Sequence, residues 1–65
     1  MFKLYKRIRD LREDNDYTQL QIADMLHVSQ STYSRYESGA VNNIPTQALK
    51  KLASFYNITL DELLE

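Results

Sequence analysis

Cysteine is absent from this chain, so neither disulfides nor cysteine-based metal ligation can hold it together. Histidine occurs once, at His27, which leaves it without fellow ligands for a zinc site. Glycine and proline also occur once each, and so few chain breakers suit several short helices with tight connections. No apolar run approaches membrane-spanning length, and the opening MFKLYKRIRD is amphipathic, unlike a signal peptide. A cytoplasmic location with no membrane partner is the expectation. Also missing are a nucleophile–base pair, a metal-ligand cluster and a glycine-rich phosphate loop. At 65 residues the chain is too short for a deep pocket, so neither catalysis, nor a cofactor, nor a small-molecule ligand is expected.

A basic excess is missing too. Eight Lys and Arg face nine Asp and Glu, for a net charge of −1. That balance argues mildly against nucleic acid, because phosphate neutralisation supplies much of the affinity of a DNA binder. The distribution says more than the sum. Five of the eight basic residues lie in the first twelve positions, while acids gather at Asp10–Asp16 and at Asp61, Glu62 and Glu65. An acidic back opposing a neutral-to-basic face would leave non-specific binding weak.

What is present is a set of helix signals. Sixty-five residues make one domain, 1–65, whose core is near the lower limit for folding unaided. Helix packing must carry it, with dimerisation as a second source. Leu4, Ile8 and Leu11 form the stripe of a first helix, Leu4 to Asp14, with Tyr5 beside them. Asn15, Asp16 and Tyr17 make a turn. Thr18 and Gln21 form a capping-box pair for a second helix, Gln19 to Leu26, with Ile22, Ala23 and Leu26 inward. Ser29 opens and Gly39 closes a third helix, Gln30 to about Ser38, anchored by Val28 and Tyr33. Residues 40–44 form a loop. A fourth helix starts at Pro45 or Thr46 and ends near Tyr56, with Asn57 as its C-cap. Thr59 and Glu62 then cap a short fifth, Leu60 to Leu64.

The stretch TQLQIADMLHVSQSTYSRYESG, residues 18–39, resembles the helix-turn-helix of the Cro/C1 (Xre-type) regulator family. KRIRDLREDNDYTQ before it and NIPTQALKKLASFYNITLDELL after it are similar to the family's first and closing helices. Together they cover about residues 4–64. The resemblance implies an all-α, five-helix, lambda-repressor-like fold, with the helix-turn-helix proper at about 18–38. It also implies a sequence-specific binder of double-stranded DNA that regulates transcription, most simply as a repressor occluding a promoter.

Gln30, Ser31, Ser34 and Arg35 share one face of the third helix, polar and free of acid. Alone, they are the solvated face any amphipathic helix needs. At the positions where the resembling family reads bases, they become candidates for the major groove. Gln pairs bidentately with adenine, Arg with guanine, and Ser serves as donor or acceptor. Gln19 matches a family position that grips a phosphate at a helix N-terminus. Thr18 adds a hydroxyl or is only the cap. Asn42 and Asn43 lie where family members meet the DNA backbone, though two Asn in a loop are also common turn chemistry. Arg12 and Glu37 match a buried ion pair of the phage repressors, which would leave outer nitrogens of Arg12 to face a phosphate.

Other residues have blander readings. Tyr33 and Tyr36 could stack on bases as in single-strand binders, but fit better as core and as a half-buried flank. Phe55 and Tyr56 read as core and its edge. His27 stands where the family has a glycine, and so reads as a strained turn residue of positive φ. Ile58, Leu60, Leu63 and Leu64 exceed what one short helix needs, and are candidates for a homodimer interface on a palindromic operator. A rival reading keeps the fold but loses the DNA: a protein-binding helix-turn-helix module, such as an antirepressor or antitoxin subunit. The acidic balance is its best support.

Overall fold

The computed structural model describes residues 3–39 and 44–64. Five helices follow in order: α1 Leu4–Asp14, α2 Gln19–Leu26, α3 Gln30–Ser38, α4 Thr46–Phe55 and α5 Leu60–Leu64. There is no strand among the described residues, so the architecture is all-α as expected. Asn42 and Asn43 lie outside the described residues. Among the described residues, no helix is long and apolar enough to cross a membrane.

Side chains cap α2, α3 and α5 at their starts. The Thr18 hydroxyl accepts from the Gln21 amide at 3.1 Å, and the Thr18 amide donates to Gln21 Oε1 at 2.8 Å. The same reciprocal box recurs at Thr59 and Glu62, with bonds of 2.9 and 3.0 Å. The hydrogen bond from the Thr59 amide holds the exposed Glu62 carboxyl below its ordinary range.

The helix ends share another device. α1, α2 and α4 each stop at a non-glycine residue in the left-handed region: Asp16, His27 and Asn57, all near φ 60°. At each, two backbone amides turn back to orphan carbonyls. Asp16 donates to Glu13 and Tyr17 to Arg12; His27 to Asp24 and Val28 to Ala23; Asn57 to Ser54 and Ile58 to Ala53. This is the paired closure of a Schellman motif, and the apolar residue after each left-handed position packs on the core. Asn57 is therefore one residue beyond the cap, Tyr56, rather than the cap itself.

α3 packs against α1 and α2, α5 against α1 and α4, and α2 touches α4. Between them lie Ile8, Ile22, Leu52, Leu63 and the ring of Tyr33, all fully buried. Burying each such aliphatic side chain is worth roughly 1.5–3 kcal/mol. Leu4 and Leu11 are half-buried flanks of Ile8.

Three expectations need correction. Tyr36 is buried outright, its ring edge-on to Tyr33 with centroids 6.3 Å apart. Phe55 and Tyr56 exchange places: Phe55 is 38% exposed and rests on Tyr17, while the cap residue Tyr56 turns inward. Helical register accounts for the exchange: Tyr56 continues the stripe of Ala48, Leu52 and Ala53, while Phe55 lies about 90° from the middle of that stripe. Leu63 belongs to the chain's own core, because α5 is short enough that its single inward position must fill the space against α1 and α4. It is removed from the candidate dimer surface.

Candidate nucleic-acid interface

α2 and α3 meet at His27, Val28 and Ser29. His27 reverses the chain in the left-handed conformation, Val28 packs half-buried against the core, and Ser29 opens α3. The Ser29 hydroxyl accepts from the Thr32 amide at 3.1 Å and donates to the Thr32 hydroxyl at 2.9 Å. That second bond was not anticipated, although the three-residue spacing of two hydroxyls could have signalled it. At the far end Gly39 adopts φ 77° with the Tyr5 ring against it. A Cβ there would stand 3.2 Å from two ring carbons, so both conformation and space call for glycine.

With Tyr33, Tyr36 and Glu37 buried, the opposite side of α3 is turned out. Gln30, Ser31 and Arg35 are exposed and Ser34 is half-buried. Four polar side chains without an acid thus share one outward face. The N-terminal turns of α2 and α3 also lack acids, whereas α5 carries Asp61 and Glu62 in its first turn. The positive ends of α2 and α3 are therefore not neutralised by their own side chains.

Behind this face sits Glu37, only 5% exposed. It accepts from Arg12 Nε at 2.7 Å and Arg12 Nη2 at 3.0 Å, a bidentate pair, and from Gln19 Nε2 at 3.2 Å. Arg12 Nη1 donates to the Tyr17 carbonyl at 2.9 Å. Burial alone would push the Glu37 carboxyl up, but its neighbours, Arg12 first and then the Tyr33 hydroxyl and Gln19, outweigh it and hold the carboxyl below its ordinary range. The bond to Glu37 raises Arg12 in turn. The Tyr33 hydroxyl is buried near the same carboxylate, and burial and the Glu37 charge raise it far above an ordinary phenol. Among the described residues, no acceptor lies in hydrogen-bonding geometry to it. Burial and Glu37 likewise push Tyr56 up to about 12.

The candidate residues thus divide. Gln30, Ser31, Ser34 and Arg35 come together on α3. Thr18 is engaged in its capping box, and Gln19 is tied inward to Glu37. The Arg12 side chain is 13% exposed and pairs with Glu37; each guanidinium nitrogen makes one bond, which leaves further N–H groups on its outer nitrogens. The Gln19–Glu37 bond and a bond from Arg7 to the Glu62 carbonyl at 3.2 Å were not foreseen. Both join distant positions, and neither pair carries a local spacing signal.

Comparison with known proteins assigns this arrangement to a class. A helix-turn-helix family model matches residues 8–63, and the chain belongs to the Cro/C1-type helix-turn-helix family. It is 37% identical over 60 residues to the HTH-type transcriptional activator BcrR of Enterococcus faecalis, covering 91% of this chain and 28% of BcrR. The cryptic phage CTXphi transcriptional repressor RstR of Vibrio cholerae is 37% identical over 57 residues, 88% of this chain and 50% of RstR. The chain thus spans half or less of these relatives. The fold is also similar to that of the biofilm master regulator SinR, solved in complex with DNA. The TM-score is 0.85 at 24% identity, over 97% of this chain and 100% of that one.

Proposed function

We propose that this chain binds double-stranded DNA sequence-specifically and regulates transcription, with α3 in the major groove. One observation carries the reading: an exposed, acid-free polar face, Gln30, Ser31, Ser34 and Arg35, on a helix held firmly from behind. Family membership supports it, as do relatives named as transcriptional regulators. The acid-free N-terminal turns of α2 and α3 suit phosphates on either side of the groove, with Thr18 and Gln19 at the first of them. A helix of nine residues reads only a few base pairs. A homodimer on a palindromic operator, acting in the cytoplasm as a repressor that occludes a promoter, completes the reading.

Selection of bound sequences from a random duplex pool tests it. Enrichment of a defined motif, with affinity falling as salt rises, is the expected result. No enrichment and no salt-dependent binding to any duplex would overturn it in favour of a protein-binding module.

A further inference from the structure

The carboxylate behind α3 is held from two sides, by Arg12 of α1 and by Gln19 of α2. A carboxylate only accepts, so the Gln19 amide must turn its nitrogen inward to meet it. We propose that Gln19 and Glu37 are specificity-determining positioning residues. Through the bond from Gln19 Nε2 to Glu37 Oε1 they set the rotation of α3 about its own axis, and so the aim of Gln30 and Ser34, without touching a base. This rests on the reading of α3 as the base-contacting helix.

The helical register supports the assignment. Glu37 follows Gln30 by seven positions and Ser34 by three, which places it about 20° and about 60° from them around the axis. It marks the border between the buried side of α3 and the outward face. Side-chain tips lie about 5–6 Å from the helix axis, so a rotation of about 10° moves them by about 1 Å. Hydrogen bonds tolerate about 0.5 Å in donor–acceptor distance, so such a turn would cost base contacts while leaving looser backbone contacts in place. Arg12 fixes Glu37 from the α1 side alone. The Gln19 bond supplies the second direction, and it ties α3 to the helix just before it in the chain.

Removing Arg12 would strand a buried carboxylate and unfold the domain, so the test is made at Gln19. Gln19→Met keeps the length of the side chain and removes the hydrogen bond; Gln19→Ala is the second variant should Met fail to fold, as judged by thermal melts. Dissociation constants are measured at one salt concentration on the selected duplex and on a scrambled duplex. The expected result is a loss about fivefold larger on the selected duplex than on the scrambled one, the worth of one hydrogen bond, because any phosphate contact of Gln19 is lost from both alike. Gln19→Lys returns a donor to Glu37 and should restore the ratio between duplexes, even though its charge tightens both. Equal losses on both duplexes, the mark of a phosphate contact alone, or an unchanged ratio would overturn the proposal while leaving DNA binding intact. A wild type that prefers no duplex would overturn the DNA-binding reading and this inference together.

Discussion

His27, Asp16 and Asn57 occupy a backbone region that glycine enters freely and other residues enter at a cost. Asn and Asp soften that cost with short polar side chains; His has a larger ring and less local compensation. His27 is also exposed, so its ring recovers little by packing. His27→Gly is expected to stabilise the domain by about 0.5–1 kcal/mol, read as a melting temperature several degrees higher. A lower melting temperature would mean that the ring makes a contact worth more than the strain. The buried carboxylate of Glu37 yields a second expectation. Its folded pKa is below the ordinary 4.5, so its contribution to stability is complete above that value and is lost as pH falls through the lower folded one. Chemical denaturation at a series of pH values should show stability falling steeply below about pH 4.5, and Glu37→Gln should flatten that slope while lowering stability at neutral pH. An unchanged acid limb in Glu37→Gln would show that another group dominates. At this scale the resemblance was the guide where it covered a turn, since the strained His27 followed from the glycine that the resembling family has there. The depth of Tyr36 and the exchange of Phe55 with Tyr56 depended on how α3 and α4 pack on the other helices.

Among the helices, α3 has an unusual division of labour. Its inward side is aromatic and anionic, Tyr33, Tyr36 and Glu37, while its outward side carries the one cation, Arg35, in the last turn. Arg35→Ala and Gln30→Ala should each weaken binding to the selected duplex by about 1–3 kcal/mol and relax preference at one base position. Fluorescence anisotropy against a set of single-base variants of the site measures both. If Arg35→Ala left affinity and preference unchanged, the outward face of α3 would not be the base-contacting one. Helix boundaries were legible because each carries its own punctuation: Thr18 with Gln21, Ser29, Gly39, Thr59 with Glu62. The outward face of α3 was legible from periodicity. Its tie to α2 was not, since Gln19 and Glu37 lie 18 positions apart and either alone looks like a surface residue.

For the molecule as a whole, the question is how much apolar surface is left after the core is made. Leu63 is used up inside, Ile58 and Leu60 are half-buried against the core, and Leu64 remains 41% exposed. That is a small surplus for an interface, so any dimer would be weak in free solution and completed on DNA. Two copies reading one face of the duplex need half-sites about 34 Å apart, one DNA turn. Leu64→Lys should leave the melting temperature nearly unchanged yet halve the protein-to-duplex stoichiometry on a palindromic site, as measured by analytical ultracentrifugation. One protein per duplex in the wild type, or two in the variant, would show that Leu64 has no part in pairing. The sequence showed a surplus of leucines but could not say which ones the core would claim. That assignment depends on how α5 docks against α1, a contact between the two ends of the chain.

The contact between chain ends also has a meaning in time. The bond from Arg7 to the Glu62 carbonyl joins residues 55 positions apart, whereas Arg12 and Glu37 are 25 apart and the turn between α2 and α3 is closed by neighbours. Closing a longer loop costs more chain entropy before any contact rewards it. Assembly is therefore expected to start in the α2–α3 pair and to finish at the seam between α1 and α5, with unfolding running in reverse. Amide exchange would register this as slow protons in α2 and α3 and faster ones in α5; the opposite order would refute it. On that sequence of events, the unit proposed to face DNA is the first part of the molecule to become itself and the last to be lost.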